Sequence, residues 1–210
     1  VGGELNAFTS KEETVVYAGT LNEYSERTIE LISDLIQHST FPQAEIDKEI
    51  LVIQDEINSY YDSPAELIYD DFEEMLFNSN PMAHNVLGRK ENLENFTTQK
   101  TKAFYKQFYQ PGNMVFFYLG NTDFKKIAKW ADKYFKFKQN ASENHVREAP
   151  KRELNETRVL KKETFQAHCL MGARSYDIQH KDRISLYLLN NILGGPGMNS
   201  LLNLSLREKN

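Results

Sequence analysis

Cysteine is nearly absent from this sequence: Cys169 is the only one in 210 residues. It has no partner for an internal disulfide, which excludes a disulfide scaffold and, with it, a cysteine-based zinc site. Basic residues are outnumbered, 25 Lys and Arg against 30 Asp and Glu, for a formal charge of −5. That balance argues against nucleic-acid binding through a broadly basic surface. No apolar run approaches the ~20 residues of a membrane-spanning helix, so no membrane span is expected in this segment. There is no G-x-G-x-x-G, G-x-x-x-x-G-K-[ST] or G-x-S-x-G. None of His38, His84, His145, His168 and His180 lies three to five residues from another, so no local histidine pair is available for a metal.

What is present is ordinary globular composition, with 40% hydrophobic and 26% charged residues. The length is awkward, too large for one average domain of about 150 residues and too small for two. The opening Val1-Gly2-Gly3-Glu4 has neither an initiator Met nor a charged and apolar leader. The sequence therefore reads as a piece of something longer, with any targeting signal upstream of Val1.

Residues 3–9 and 12–21 are rich in β-branched and aromatic side chains and read as a hairpin turning at Ser10-Lys11. From Asn22 the period becomes helical. Ile46, Ile50, Ile53 and Ile57 recur at helical spacing and form one stripe on a helix starting near Ala44. Ser63-Pro64 reads as a new start, with Ser63 at the N-cap and a helix running to about Phe77. Helices are also expected at 97–109 and 123–134. Between them Met114-Val115-Phe116-Phe117-Tyr118-Leu119 reads as a buried strand, being a continuous apolar run between turn signals. Residues 139–156 are polar and without period and read as an interdomain linker. Strands at 157–163 and 165–173 should follow, the latter burying Cys169 as an inert thiol, then helices from 181 and 199. Gly194-Gly195-Pro196-Gly197 is read as a helix end and tight turn. The sum is an α+β fold, mostly antiparallel sheet with helices packed on it.

The most informative stretch is Glu45 to Glu56. Glu49 and Glu56 are seven residues apart, almost two full turns, and share one side of the helix at the flank of the isoleucine stripe. Carboxylates there either line a solvated edge or point into a site.

Three segments carry a resemblance. Gly2 to Tyr17, with its Gly2-Gly3-Glu4-Leu5-Asn6-Ala7-Phe8-Thr9 strand, resembles the strand pair of the pitrilysin/insulinase superfamily. These are the inverted-motif zinc metallopeptidases, which include the mitochondrial processing peptidases. Glu49 to Ile57 is similar to the family's downstream glutamate helix. Asn191 to Lys209 is similar to its second-domain signature.

The resemblance implies a two-domain clamp of homologous domains. Residues 1–138 would be the later part of the first, catalytic-type domain, and 157–210 the beginning of the second. It implies Zn²⁺, with Glu56 as third metal ligand and Glu49 as a supporting carboxylate. It implies a peptide or unfolded polypeptide substrate added as an extra strand to 3–9, with Asn6 and Ala7 as contact positions and Arg207 contacting substrate from the second domain. The partner would be a second copy or a paired homologous subunit. The family's H-x-x-E-H helix, which supplies two zinc histidines and the general base, is absent from the sequence. The expectation is therefore a zinc metalloendopeptidase in its full-length form. The segment itself is expected to be inactive and not to hold zinc tightly. The alternatives are a catalytically inactive homologue serving as scaffold or partner subunit, and an unrelated α+β binding module.

Overall fold

Residues 2–78, 80–137, 150 and 156–208 are described by the computed structural model. The chain divides into two compact units.

The first unit opens with an antiparallel hairpin of β1 (Glu4–Thr9) and β2 (Thr14–Gly19). Ala7 lies opposite Val16, and Asn6 opposite Tyr17. This is the whole of the sheet among the described residues. Helices carry most of the structure, so sheet does not dominate as the sequence implies. β2 packs on α1 (Ser25–His38), whose buried Ile29 joins the core.

The chain then reverses through Phe41, whose φ of 50° is left-handed. For a bulky side chain that conformation is strained, and two contacts hold it. Its carbonyl accepts from Thr98 Oγ1 at 2.7 Å, and its ring lies 5.5 Å from Tyr105. α2 (Gln43–Tyr61) follows, with the isoleucine stripe facing inward: Ile46, Ile50 and Ile53 are half-buried, and Ile57 is 2% exposed. α3 (Pro64–Phe77) begins with Pro64 in its first turn. Ser63 occupies the N-cap, but its side chain makes no capping bond. Its carbonyl accepts from Glu66 and Leu67 instead. α4 (Lys90–Leu93) and α5 (Thr98–Phe108) complete this layer, the latter capped by Thr97, which accepts from the Lys100 N–H at 3.3 Å. α2 packs on α3 and α4, whose buried residues are Leu67 and Leu93. α6 (Phe124–Tyr134), capped by Asp123, packs on α1 and buries Ile127.

The run 114–119 corrects an expectation. It is not paired as a strand among the described residues. Alternate residues Val115, Phe117 and Leu119 are 93%, 79% and 88% exposed. The others face the helices: Phe116 lies 5.3 Å from Phe135, and the Tyr118 hydroxyl is 3.0 Å from Ser25 Oγ. The run keeps the two-residue period of a strand, but packing covers only one face. A continuous apolar run predicts burial only when both faces have neighbours.

The second unit contains α7 (Arg183–Gly194) and α8 (Leu201–Leu206), packed on each other. α7 ends as expected at Gly195, whose N–H bonds the Asn191 carbonyl at 3.0 Å. A β-carbon on Gly195 would stand 2.6 Å from that same oxygen. The strands expected at 157–163 and 165–173 are not formed. Without a pairing partner to cover the segment, Cys169 is exposed rather than buried. Most of the expected linker, 139–156, lies outside the described residues. No helix among the described residues is long and apolar enough to cross a membrane.

Candidate functional site

The α2 pattern places Glu49 and Glu56 on one side of the helix, roughly 10 Å apart along its axis by the rise per residue. Both are exposed. Their surroundings differ. Glu56 lines an open groove of about 520 Å³ with Val52, Asp55, Tyr60, Glu66 and Leu87, whereas Glu49 lies outside that lining. Three carboxylates facing one groove favour a cation or a cationic ligand. No group of three or more His, Cys, Asp or Glu side chains among the described residues is placed to hold a metal ion.

One wall of the groove is fixed by a network that the sequence does not reveal. Tyr60, one turn after Glu56, donates its one hydroxyl hydrogen to Asp70 Oδ2, and the Glu66 carbonyl lies 3.2 Å from the same hydroxyl oxygen. Asn85 Nδ2 donates to the same Asp70 oxygen at 2.7 Å. Lys11, at the hairpin turn, reaches Asp70 at 3.8 Å, Glu73 at 3.0 Å and the His84 carbonyl at 2.6 Å. A chain of polar contacts thus joins the tip of the β1–β2 hairpin to the end of the glutamate helix. Burial, followed by the neighbouring Asp70, pushes the Tyr60 phenol well above its usual range. The folded state therefore favours the protonated phenol. This stabilisation is complete below the unfolded midpoint near ~10 and is lost as pH rises through the folded value.

Replacing Asp70 with alanine is expected to lower stability by about 1–3 kcal/mol, because it removes the acceptor of two partly buried donors. Asp70→Asn, which keeps an oxygen, should cost less. In both variants the tyrosinate absorbance of Tyr60 should appear at lower pH. An unchanged titration would show that Asp70 does not govern the phenol.

The β1 edge has a defined polarity. Ser10 N–H donates to the Glu13 carbonyl at 2.8 Å, which makes Ser10–Glu13 a hydrogen-bonded pair. Such pairs alternate along an antiparallel ladder. With the observed register, Phe8, Asn6 and Glu4 direct their main-chain groups to β2, and Thr9, Ala7 and Leu5 direct theirs outward. All six residues of β1 are exposed. The Ala7 N–H is taken by Asn6 Oδ1 at 2.8 Å.

Arg207, the remaining expected site residue, is exposed at the end of α8 in the second unit, its N–H bonded to the Asn203 carbonyl at 2.9 Å. Glu49, Glu56, Asn6 and Ala7 all belong to the first unit.

Two family models match the chain. Insulinase (Peptidase family M16) covers residues 1–90, and the Peptidase M16 inactive domain covers residues 95–210. An uncharacterized zinc protease, YmxG of Bacillus subtilis, is 32% identical over 99% of the chain and 50% of its own length. The mitochondrial-processing peptidase subunit beta of Blastocladiella emersonii is 31% identical over 64% of the chain and 29% of its own length. A protease from Helicobacter pylori shares the fold with a TM-score of 0.76, at 21% identity over 99% of the chain and 52% of that structure. The chain spans about half the length of the curated relatives that match it throughout.

Proposed function

The chain belongs to the insulinase family, peptidase family M16, and from that premise we propose that it is part of a zinc-dependent metalloendopeptidase. Relatives named as zinc proteases support the choice of metal. Glu56 is the metal ligand that this segment contributes, and Glu49 supports it from two turns away. An unfolded peptide docks as an added strand on β1, with Asn6 and Ala7 as contact positions, and Arg207 meets it from a second homologous domain. Residues 1–138 and 157–210 are the parts of the two domains, joined by 139–156 into a clamp. The carrying observation is that one edge of β1 is unpaired among the described residues while a network from the same hairpin braces the helix bearing Glu56. An edge strand gives affinity through main-chain bonds with little demand on sequence.

Among the described residues no cluster of His, Cys, Asp or Glu is placed to hold a metal ion, and no catalytic step is assigned to this segment alone. The purified chain, given Zn²⁺ and a disordered peptide, is expected to bind the peptide without cleaving it. Cleavage abolished by a chelator would overturn that expectation. Absence of any peptide binding would remove the docking role of β1.

A second reading fits the same matches: residues 95–210 match a domain model described as inactive, although relatives named zinc proteases align over those residues too. The chain would then belong to a non-catalytic scaffold or partner subunit. Pairing with a homologous subunit fits either reading, since one relative is named as a subunit. Sequencing the transcript upstream of Val1 separates the two, because an H-x-x-E-H motif there would sink the non-catalytic one.

A further inference from the structure

Of the outward-facing main-chain donors of β1, Leu5 and Thr9 have no hydrogen-bond partner among the described residues, while Ala7 has one. That partner is the carboxamide of the preceding residue, Asn6, at 2.8 Å. Asparagine is depleted in strands because its side chain competes with the ladder for backbone groups. Here the competition falls on the free edge. Asn6 keeps its own main-chain groups on β2, opposite Tyr17, so the contact leaves the hairpin intact. An unpaired edge invites any extended chain, and proteins blunt such edges with local devices.

We propose that the Asn6 carboxamide is a guard on this edge, closing the central Ala7 N–H until an incoming extended peptide displaces it. The inference rests on the proposed docking of peptides to β1. It adds a register rule: an added strand engages at the open Leu5 and Thr9 positions and reaches Ala7 last, by exchanging its own carbonyl for Asn6 Oδ1. A peptide too short to hold both open positions does not open the guard.

Amide hydrogen exchange and peptide binding test this on the 210-residue chain. After correction for intrinsic rates, the Ala7 amide should exchange about threefold to tenfold more slowly than those of Leu5 and Thr9, the range expected for one hydrogen bond. Asn6→Ala should abolish that difference, and Asn6→Asp, which keeps an acceptor, should preserve it. A labelled nine-residue peptide of alternating valine and threonine should bind Asn6→Ala about threefold to tenfold more tightly than the unsubstituted chain. An Ala7 amide as open as its neighbours overturns the guard. So does weaker peptide binding by Asn6→Ala, which would mean that the bound peptide itself bonds the Asn6 side chain. If no form binds peptide while Ala7 protection depends on Asn6, the docking reading falls, and the guard stands as a cap against strand addition.

Discussion

Truncation of Ile57 to alanine is expected to lower the unfolding free energy by about 2–5 kcal/mol, the range for emptying a large aliphatic site in a packed core. Ile57 is fully buried among the described residues. It sits on the helix that packs against α3 and α4, where Leu67 and Leu93 are also buried. The described core is small, and net stabilities are typically only about 5–15 kcal/mol. One such change therefore threatens the fold of the whole first unit. Chemical denaturation should show a lower midpoint at an unchanged slope. Phe117→Ala is the control. Phe117 is a larger side chain but 79% exposed, so its removal should change stability by no more than about 0.5 kcal/mol. A cost at Phe117 equal to that at Ile57 would show that the outer face of 114–119 is covered in solution.

The same pair of residues shows what is legible in the sequence. Periodicity finds the Ile57 stripe because a helix repeats its environment every 3.6 residues. Pro64 and Asp123 locate helix starts for similarly local reasons. The hairpin is legible from its β-branched composition, and the shared side of Glu49 and Glu56 from spacing alone. Phe117 and Cys169 are misread because burial is a property of neighbours, not of the segment. The Lys11–Asp70–Tyr60 network escapes for a related reason. Its members lie 10 to 59 residues apart and meet only after α3 folds back on α2. The Asn6–Ala7 contact is local, yet its meaning depends on knowing which edge of β1 is free.

Substitution of Glu56 by glutamine is expected to lower zinc content and peptide cleavage together, by about tenfold or more in metal affinity. It should be examined in a form of the protein that carries these residues together with an H-x-x-E-H helix. The amide nearly matches the carboxylate in size but lacks the negative charge, and zinc takes carboxylate oxygen rather than neutral amide oxygen as its usual oxygen donor. The exposed position of Glu56 makes a folding defect a weak explanation for any loss, since surface substitutions stay within about 0.5 kcal/mol. Glu49→Gln is the companion. A supporting carboxylate acts through the ligand it orients, and changes to such groups typically cost about 10–100-fold in metal affinity or activity. Glu49 lies outside the groove that Glu56 lines, so its substitution should reduce cleavage more than zinc content. Full zinc occupancy in Glu56→Gln would remove Glu56 from the ligand set. Equal loss of zinc in both variants would make Glu49 a ligand rather than a support. Neither result depends on whether β1 binds peptide, so the metal and docking halves of the proposal can fail separately.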